Sequence, residues 1–182
     1  MKHILTILLI ATAFVSTPAF CQDGPLPSPA GSVSTNVGMT EVKVDYFRPK
    51  MNGRKVFGAG EGFLVPFGTM WRTGANSGSI LKLSDDVTIE GQEIPAGEYT
   101  IFTIPNADKW IVTLYKDTSI GGYVSRYDDS KELTRFTVSA GKKTETVETL
   151  TFQITDLSED SNSASLEFSW ENTTFALKIS DK

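Results

Sequence analysis

The sequence predicts an all-β protein, an antiparallel β-sandwich with little helix, and three observations carry that prediction. The dominant hydrophobic period is two, no stretch of ten or more residues has a convincing helical period, and Gly and Pro punctuate the chain between short apolar runs. Two topologies satisfy the pattern, a jelly roll and an immunoglobulin-like Greek key, and both stay open at this point.

The chain opens on what reads as an export signal. Lys2 and His3 form a short polar start, Ile4 to Val15 an apolar run, and Pro18-Ala19-Phe20-Cys21 a small-residue exit. The apolar run is about a dozen residues, short of the ~20 that span a bilayer as a helix. Residues 1–21 are therefore expected to be a signal peptide, with export to the periplasm or beyond. Lipidation at Cys21 is the less favoured alternative, because bulky Phe20 precedes it. Removing 21 residues from 182 leaves 161, enough for one domain, and takes away the single His and the single Cys. A mature chain without either residue has no Ser-His-Asp or Cys-His catalysis, no redox thiol, no disulfide and no imidazole or thiolate metal site. Loss of Lys2 lowers the net charge from −5 to −6. That acidity argues against nucleic acid as a partner.

The elements follow in order. Residues 22–31 carry Pro25, Pro27 and Pro29, a spacing that favours an extended lead-in, and residues 32–182 form the sandwich. Val42, Val44 and Tyr46 alternate with Glu41, Lys43 and Asp45, which gives one buried and one wet face. Gly97 to Ile104 and Trp110 to Tyr115 carry apolar residues on both faces and are expected to be central strands covered on two sides. Glu90-Gly91 and Pro105 to Asp108 supply turns, and Pro95-Ala96-Gly97 breaks the chain before a strand. Helix is limited to a short piece within Val124 to Leu133, capped by Asp128, Asp129 or Ser130. Leu150 to Ile154, Leu166 to Trp170 and Phe175 to Ile179 alternate cleanly. With turns expected at Ser158 to Ser163 and Glu171 to Thr173, they predict a three-stranded meander.

The chemically unusual stretch is Lys43 to Asn76. It holds six of the sixteen cations of the mature chain against two acids, Asp45 and Glu61, so it is locally +4. Arg48-Pro49 ends a strand and Asn52-Gly53 returns Arg54 beside it. The planar fork of an arginine suits a carboxylate, sulfate or phosphate. Trp71 has a ring that stacks on a sugar or a guanidinium, and Asn76 offers an amide donor and acceptor beside Gly74 and Ala75. Arg48, Arg54, Trp71, Arg72 and Asn76 are thus the candidate ligand-binding residues, for an anionic small molecule or a glycan. The competing structural reading pairs the arginines with the surplus carboxylates of the chain and puts Trp71 in the core.

No residue pattern identifies a reaction. The primary expectation is a non-catalytic binding module, with no cofactor, no metal and no transmembrane segment. A small glycosidase or lyase built on two carboxylates is the alternative, and an envelope structural or interaction protein is the second. Asp85-Asp86 and Asp128-Asp129 offer oxygen ligands to calcium, but neither pair sits in a loop of EF-hand spacing.

The same stretch carries a family resemblance. YFRPKMNGRKVFG, LVPFGTMWRTGAN, IEGQEIPAGEYTIFTIP and KWIVTLY, in that order, resemble the domain of unknown function 2911 family of secreted bacterial proteins. The likeness runs from about Pro27 to about Ile179. The family pattern falls on Arg48, Pro49, Arg54, Phe57, Trp71, Arg72, Gly74, Ala75, Asn76, Gly97, Tyr99 and Trp110. Where the family often has a Trp-Gly pair, this chain has Ile120-Gly121. The resemblance implies a secreted β-rich domain and brings no established activity.

Overall fold

Period-two alternation and tight turns fold the chain into two antiparallel sheets. A computed structural model describes residues 24–182, so the expected signal peptide (1–21) and the first two residues of the lead-in lie outside the described residues. In chain order the strands are β1 (Ala30–Val37), β2 (Thr40–Phe47), β3 (Phe57–Gly58), β4 (Val65–Pro66), β5 (Ser79–Leu83), β6 (Val87–Ile89), β7 (Gln92–Ile94), β8 (Gly97–Ile104), β9 (Lys109–Tyr115), β10 (Glu132–Ser139), β11 (Gly141–Thr155) and β12 (Ser163–Asp181).

The large sheet has the order β1-β2-β5-β8-β9-β10 and the smaller one β11-β12-β6-β7, while β3 and β4 form a short parallel pair. Strand order rises with chain order across the large sheet, so its successive strands step from one neighbour to the next. The β6–β7 hairpin leaves that sequence to extend the smaller sheet. Its turn uses the residues expected, with Glu90 and Gly91 at φ 48° and 78°, the left-handed pair that a two-residue hairpin needs.

Between the sheets lies an aromatic core. Tyr46 meets Phe152 edge-on at 5.2 Å, and Trp110 lies 5.4 Å from Phe168 and 5.2 Å from Phe175. Such pairs add ~0.5–1.5 kcal/mol each beyond the area they bury. Burial on both faces of β8 and β9 is as the sequence predicts. The smaller sheet covers one face. On the other, Phe102, Tyr115 and Ile120 form a second cluster with Met70, Val124 and Tyr127. The segment between β9 and β10 supplies that cover as three short 3-10 turns, Thr118–Ile120, Val124–Arg126 and Asp129–Lys131. Two of them, Val124–Arg126 and Asp129–Lys131, fall within the expected helical piece, and Asp128 caps the second by accepting from the Ser130 amide.

The C-terminal meander is a correction. Leu166 to Trp170 and Phe175 to Ile179 belong to one strand, β12, and no turn separates them. The buried positions change from even to odd numbers between Trp170 and Phe175. Glu171, at φ 56°, makes the shift, and the pairing with β11 is irregular at the same place. An extra residue in a strand switches the face that alternate side chains present, and in the sequence that switch looks like a turn.

Candidate functional site

Each candidate residue takes its place from the local fold. Arg48 follows β2, and its amide donates to the Pro29 carbonyl at 2.9 Å. A Cβ on Gly31 would lie 2.7 Å from the Arg48 Cδ and 3.3 Å from the Tyr46 Cζ. Since Tyr46 packs on Phe152, the Arg48 stem lies on the side of the large sheet that faces β11. Only glycine leaves room for it there.

Arg54 is engaged differently. Its Nε donates to the Met51 carbonyl at 2.8 Å and its Nη2 to the Lys50 carbonyl at 2.7 Å, closing the turn through Asn52 and Gly53. Trp71 exchanges backbone hydrogen bonds with Thr103 at 2.7 and 2.8 Å, and its ring stacks on Trp170 at 5.8 Å. The indole therefore packs against the core, as the structural reading of that residue expects. Asn76 is exposed, with φ 51°, and its amide donates to the Ser28 carbonyl at 3.2 Å.

Arg72 points the opposite way from Trp71. A Cβ on Gly122 would come within 2.8 Å of the Arg72 Cδ, and one on Gly78 within 3.4 Å of its Cβ. The side chain thus runs between Ser77-Gly78 and Gly122, on the outward face that carries the second cluster. Arg48 and Arg72 are consequently on opposite faces, and the five candidates do not converge on one point.

The two arginines share another property. The Nε of each is buried without a hydrogen-bond partner among the described residues. Among the described residues neither has a carboxylate within 4.0 Å, nor has Arg54, Lys50 or Lys55, whereas Lys43 pairs with Asp45 at 3.2 Å. Several of the acids are committed elsewhere. Glu148 accepts from the Asn52 amide at 2.9 Å and Glu171 from the Val56 amide at 3.2 Å. Asp86 accepts from the Ala96 amide at 2.9 Å, and Asp129 lies 3.5 Å from Arg135. Among the described residues, Arg48, Arg54 and Arg72 are held without the carboxylate pairs that the structural reading expects.

A cavity of about 510 Å³ opens on the outward face of β1, β2 and β5. Its walls are mostly apolar, with Ala30, Phe47 and Ile80 beside Ser32, Asp45 and Ser77-Gly78. Strand register explains the grouping, because Ala30 pairs with Phe47, Ser32 with Asp45, and Asp45 with Ile80. Burial alone would raise the Asp45 pKa. Hydrogen bonds from Ser32, Lys43 and Lys82 outweigh it and hold the carboxyl below its ordinary value. Asp45 is the one carboxylate of this lining, so a two-carboxylate mechanism lacks its second acid there. Sequence reasoning missed this cavity. The available signal was Phe47 and Ile80, two apolar residues in rows otherwise occupied by Glu41, Lys43, Asp45 and Lys82.

Fold and residues together define an all-β sandwich protein in which two arginines, Arg48 and Arg72, have a buried Nε without a hydrogen-bond partner among the described residues. The chain belongs to the family described as "Protein of unknown function (DUF2911)", whose model matches residues 28–179. Comparison with curated proteins and with solved structures finds no match.

Proposed function

We propose that this protein is a non-catalytic binding module for an anionic ligand, exported from the cytoplasm by its N-terminal signal, with Arg72 as the principal anion-binding group. The observation that carries the reading is the buried Nε of Arg72, which has no acceptor among the described residues in a chain with acid to spare. Leaving a charged donor unsatisfied costs ~1–3 kcal/mol or more, a cost that an anion's oxygen atoms would remove by accepting from the guanidinium. Arg48 offers a second such group on the opposite face. Arg54, Trp71 and Asn76 support the loops that hold both arginines: Arg54 closes its own turn, Trp71 anchors Arg72 to the core, and Asn76 ties Ser28 to the loop before β5.

Calorimetry with sulfate, phosphate and acetate, on the protein and on Arg48→Met and Arg72→Met, tests the reading. Binding that Arg72→Met abolishes, with the melting temperature unchanged or raised, is the expected result. Absence of binding across the three anions, or an Arg72→Met variant that unfolds while Arg48→Met and Arg54→Met stay folded, sinks it.

A further inference from the structure

We infer that the free edge of β1 pairs with the same edge of a second copy of this chain, joining two large sheets into one across a two-fold axis. The inference stands on the strand edges and the exposed residues beside them, and is independent of the anion reading of Arg72.

The two main sheets end on four strands, β1 and β10 in one, β11 and β7 in the other. An open edge invites pairing with another chain, and proteins protect such edges with short strands, charges, prolines or bulges. Three of the four edges are protected in these ways. β7 has only three residues. β10 carries Glu132 and Arg135, with a register shift between Glu132 and Thr134. β11 carries Lys142, Lys143, Glu145 and Glu148, and its register shifts between Lys142 and Val147 and again between Val147 and Thr151. β1 has none of these devices. Its eight residues, AGSVSTNV, include no charge and no proline, and all eight stay in register with β2.

One hydrogen bond decides which backbone groups face the free edge. The Arg48 amide donates to the Pro29 carbonyl at 2.9 Å, so residues 29 and 48 form a hydrogen-bonded pair. Bonded and non-bonded pairs alternate along an antiparallel ladder, which makes the odd-numbered residues of β1 the ones bonded to β2. The N–H and C=O groups of Ala30, Ser32, Ser34 and Asn36 therefore point away from β2. None of these groups has a backbone partner among the described residues, and all four residues are exposed.

A second copy of the strand satisfies these groups. With the two-fold axis at Val33, Ala30 meets Asn36 and Ser32 meets Ser34 across the seam, so all four residues on each side are used. Chains of net charge −5 repel one another, but this seam sets no charge opposite another. Two exposed apolar residues flank the edge, Leu26 before β1 at 58% exposure and Met39 after it at 90%. Antiparallel pairing lays the Met39 end of one copy beside the Leu26 end of the other, which gives both residues apolar company. A single strand edge buries less than a standard interface, so the dimer is expected to exchange with the monomer.

Sedimentation velocity of the exported protein over a concentration series, with amide hydrogen exchange, tests this. The mass is expected to rise from monomer to dimer, with protection gained at Ser32, Ser34 and Asn36 and unchanged at Val33 and Thr35, which β2 already bonds. Ser34→Pro removes an N–H that the pairing with β2 does not use, and Asn36→Lys places a charge on the seam. Each is expected to weaken the dimer at least about tenfold, the scale of one or two lost hydrogen bonds, while the variant stays folded. If Ser34→Pro does not fold, Asn36→Lys decides. A monomer at every concentration up to about 1 mM, or a dimer that the edge substitutions leave intact, overturns the inference.

Discussion

The two halves of the outward face of the large sheet share one backbone and end differently. Over β8 and β9 the outward residues Phe102 and Tyr115 are sealed by the chain's own segment between β9 and β10. Tyr115 and Tyr127 lie 4.7 Å apart there, and Phe102 meets Tyr127 edge-on at 5.2 Å. Over β1, β2 and β5 the corresponding residues are Ala30, Phe47 and Ile80, and they line an open cavity. Arg72 stands at the junction, with Gly122 of the sealing segment on one side and Ser77-Gly78 of the cavity wall on the other. A sheet face acquires a core where a distant segment covers it and a pocket where none does.

Substitutions sharpen that contrast, and the largest effect belongs to the sealed half. Phe102 is fully buried, and Phe102→Ala is expected to cost ~3–5 kcal/mol in denaturant unfolding. A loss as small as that of an exposed residue would mean that the sealing segment contributes little. At the junction, Gly122 has φ 74° and no room for a Cβ, with the Ser77 backbone 2.9 Å from where that atom would lie. Gly122→Ala is expected to cost ~1–3 kcal/mol and to displace Arg72, so weakened sulfate binding should accompany the lower stability.

A smaller effect concerns the ion pair that closes the sealing segment. Lys131 Nζ sits 2.6 Å from the Asp117 carboxylate. Hydrogen bonds from Lys131 first, and then Ser119, lower the Asp117 pKa to about 2 from an ordinary 3.8. A carboxyl depressed by folding stabilises the native state above its unfolded pKa, and that contribution fades as pH falls through the folded one. Melting curves of the protein and of Asp117→Asn should therefore differ near neutral pH and converge between about pH 4 and pH 2; a constant gap over that range would contradict the assignment. The smallest effect is expected in the open half. Phe47→Ala should change stability by less than ~1 kcal/mol, because its ring belongs to neither cluster. A cost like that of Phe102→Ala would show Phe47 to be core and would erase the difference between the halves.

Much of the fold was legible in the sequence because its signals are local. Val42, Val44 and Tyr46 announce the buried face of β2 by period alone, and Glu90-Gly91 announces a hairpin through its backbone preference. The limit of such reasoning is clear at Glu171, where one left-handed residue inside β12 changes the parity of burial and imitates a turn. The candidate site was legible only in part. The +4 charge of Lys43 to Asn76 drew attention to two arginines, Arg48 and Arg72, whose buried Nε has no partner among the described residues. Charge and residue type, however, carry no direction. They could not tell that Arg54 closes its own turn, that Trp71 stacks on Trp170, or that Arg48 and Arg72 leave the large sheet on opposite sides.

By itself, then, the sequence determined the all-β class, several of the strands with their apolar faces, and where the positive charge gathers. These follow from period, turn chemistry and composition, all properties of neighbouring residues. Tertiary structure decided what covers each face. Phe102 and Phe47 both lie on the outward side of a strand, yet one is buried beneath residues from Ile120 to Tyr127 and the other lines a cavity. That outcome depends on where a non-local segment comes to rest, and alternation along a strand holds no record of it.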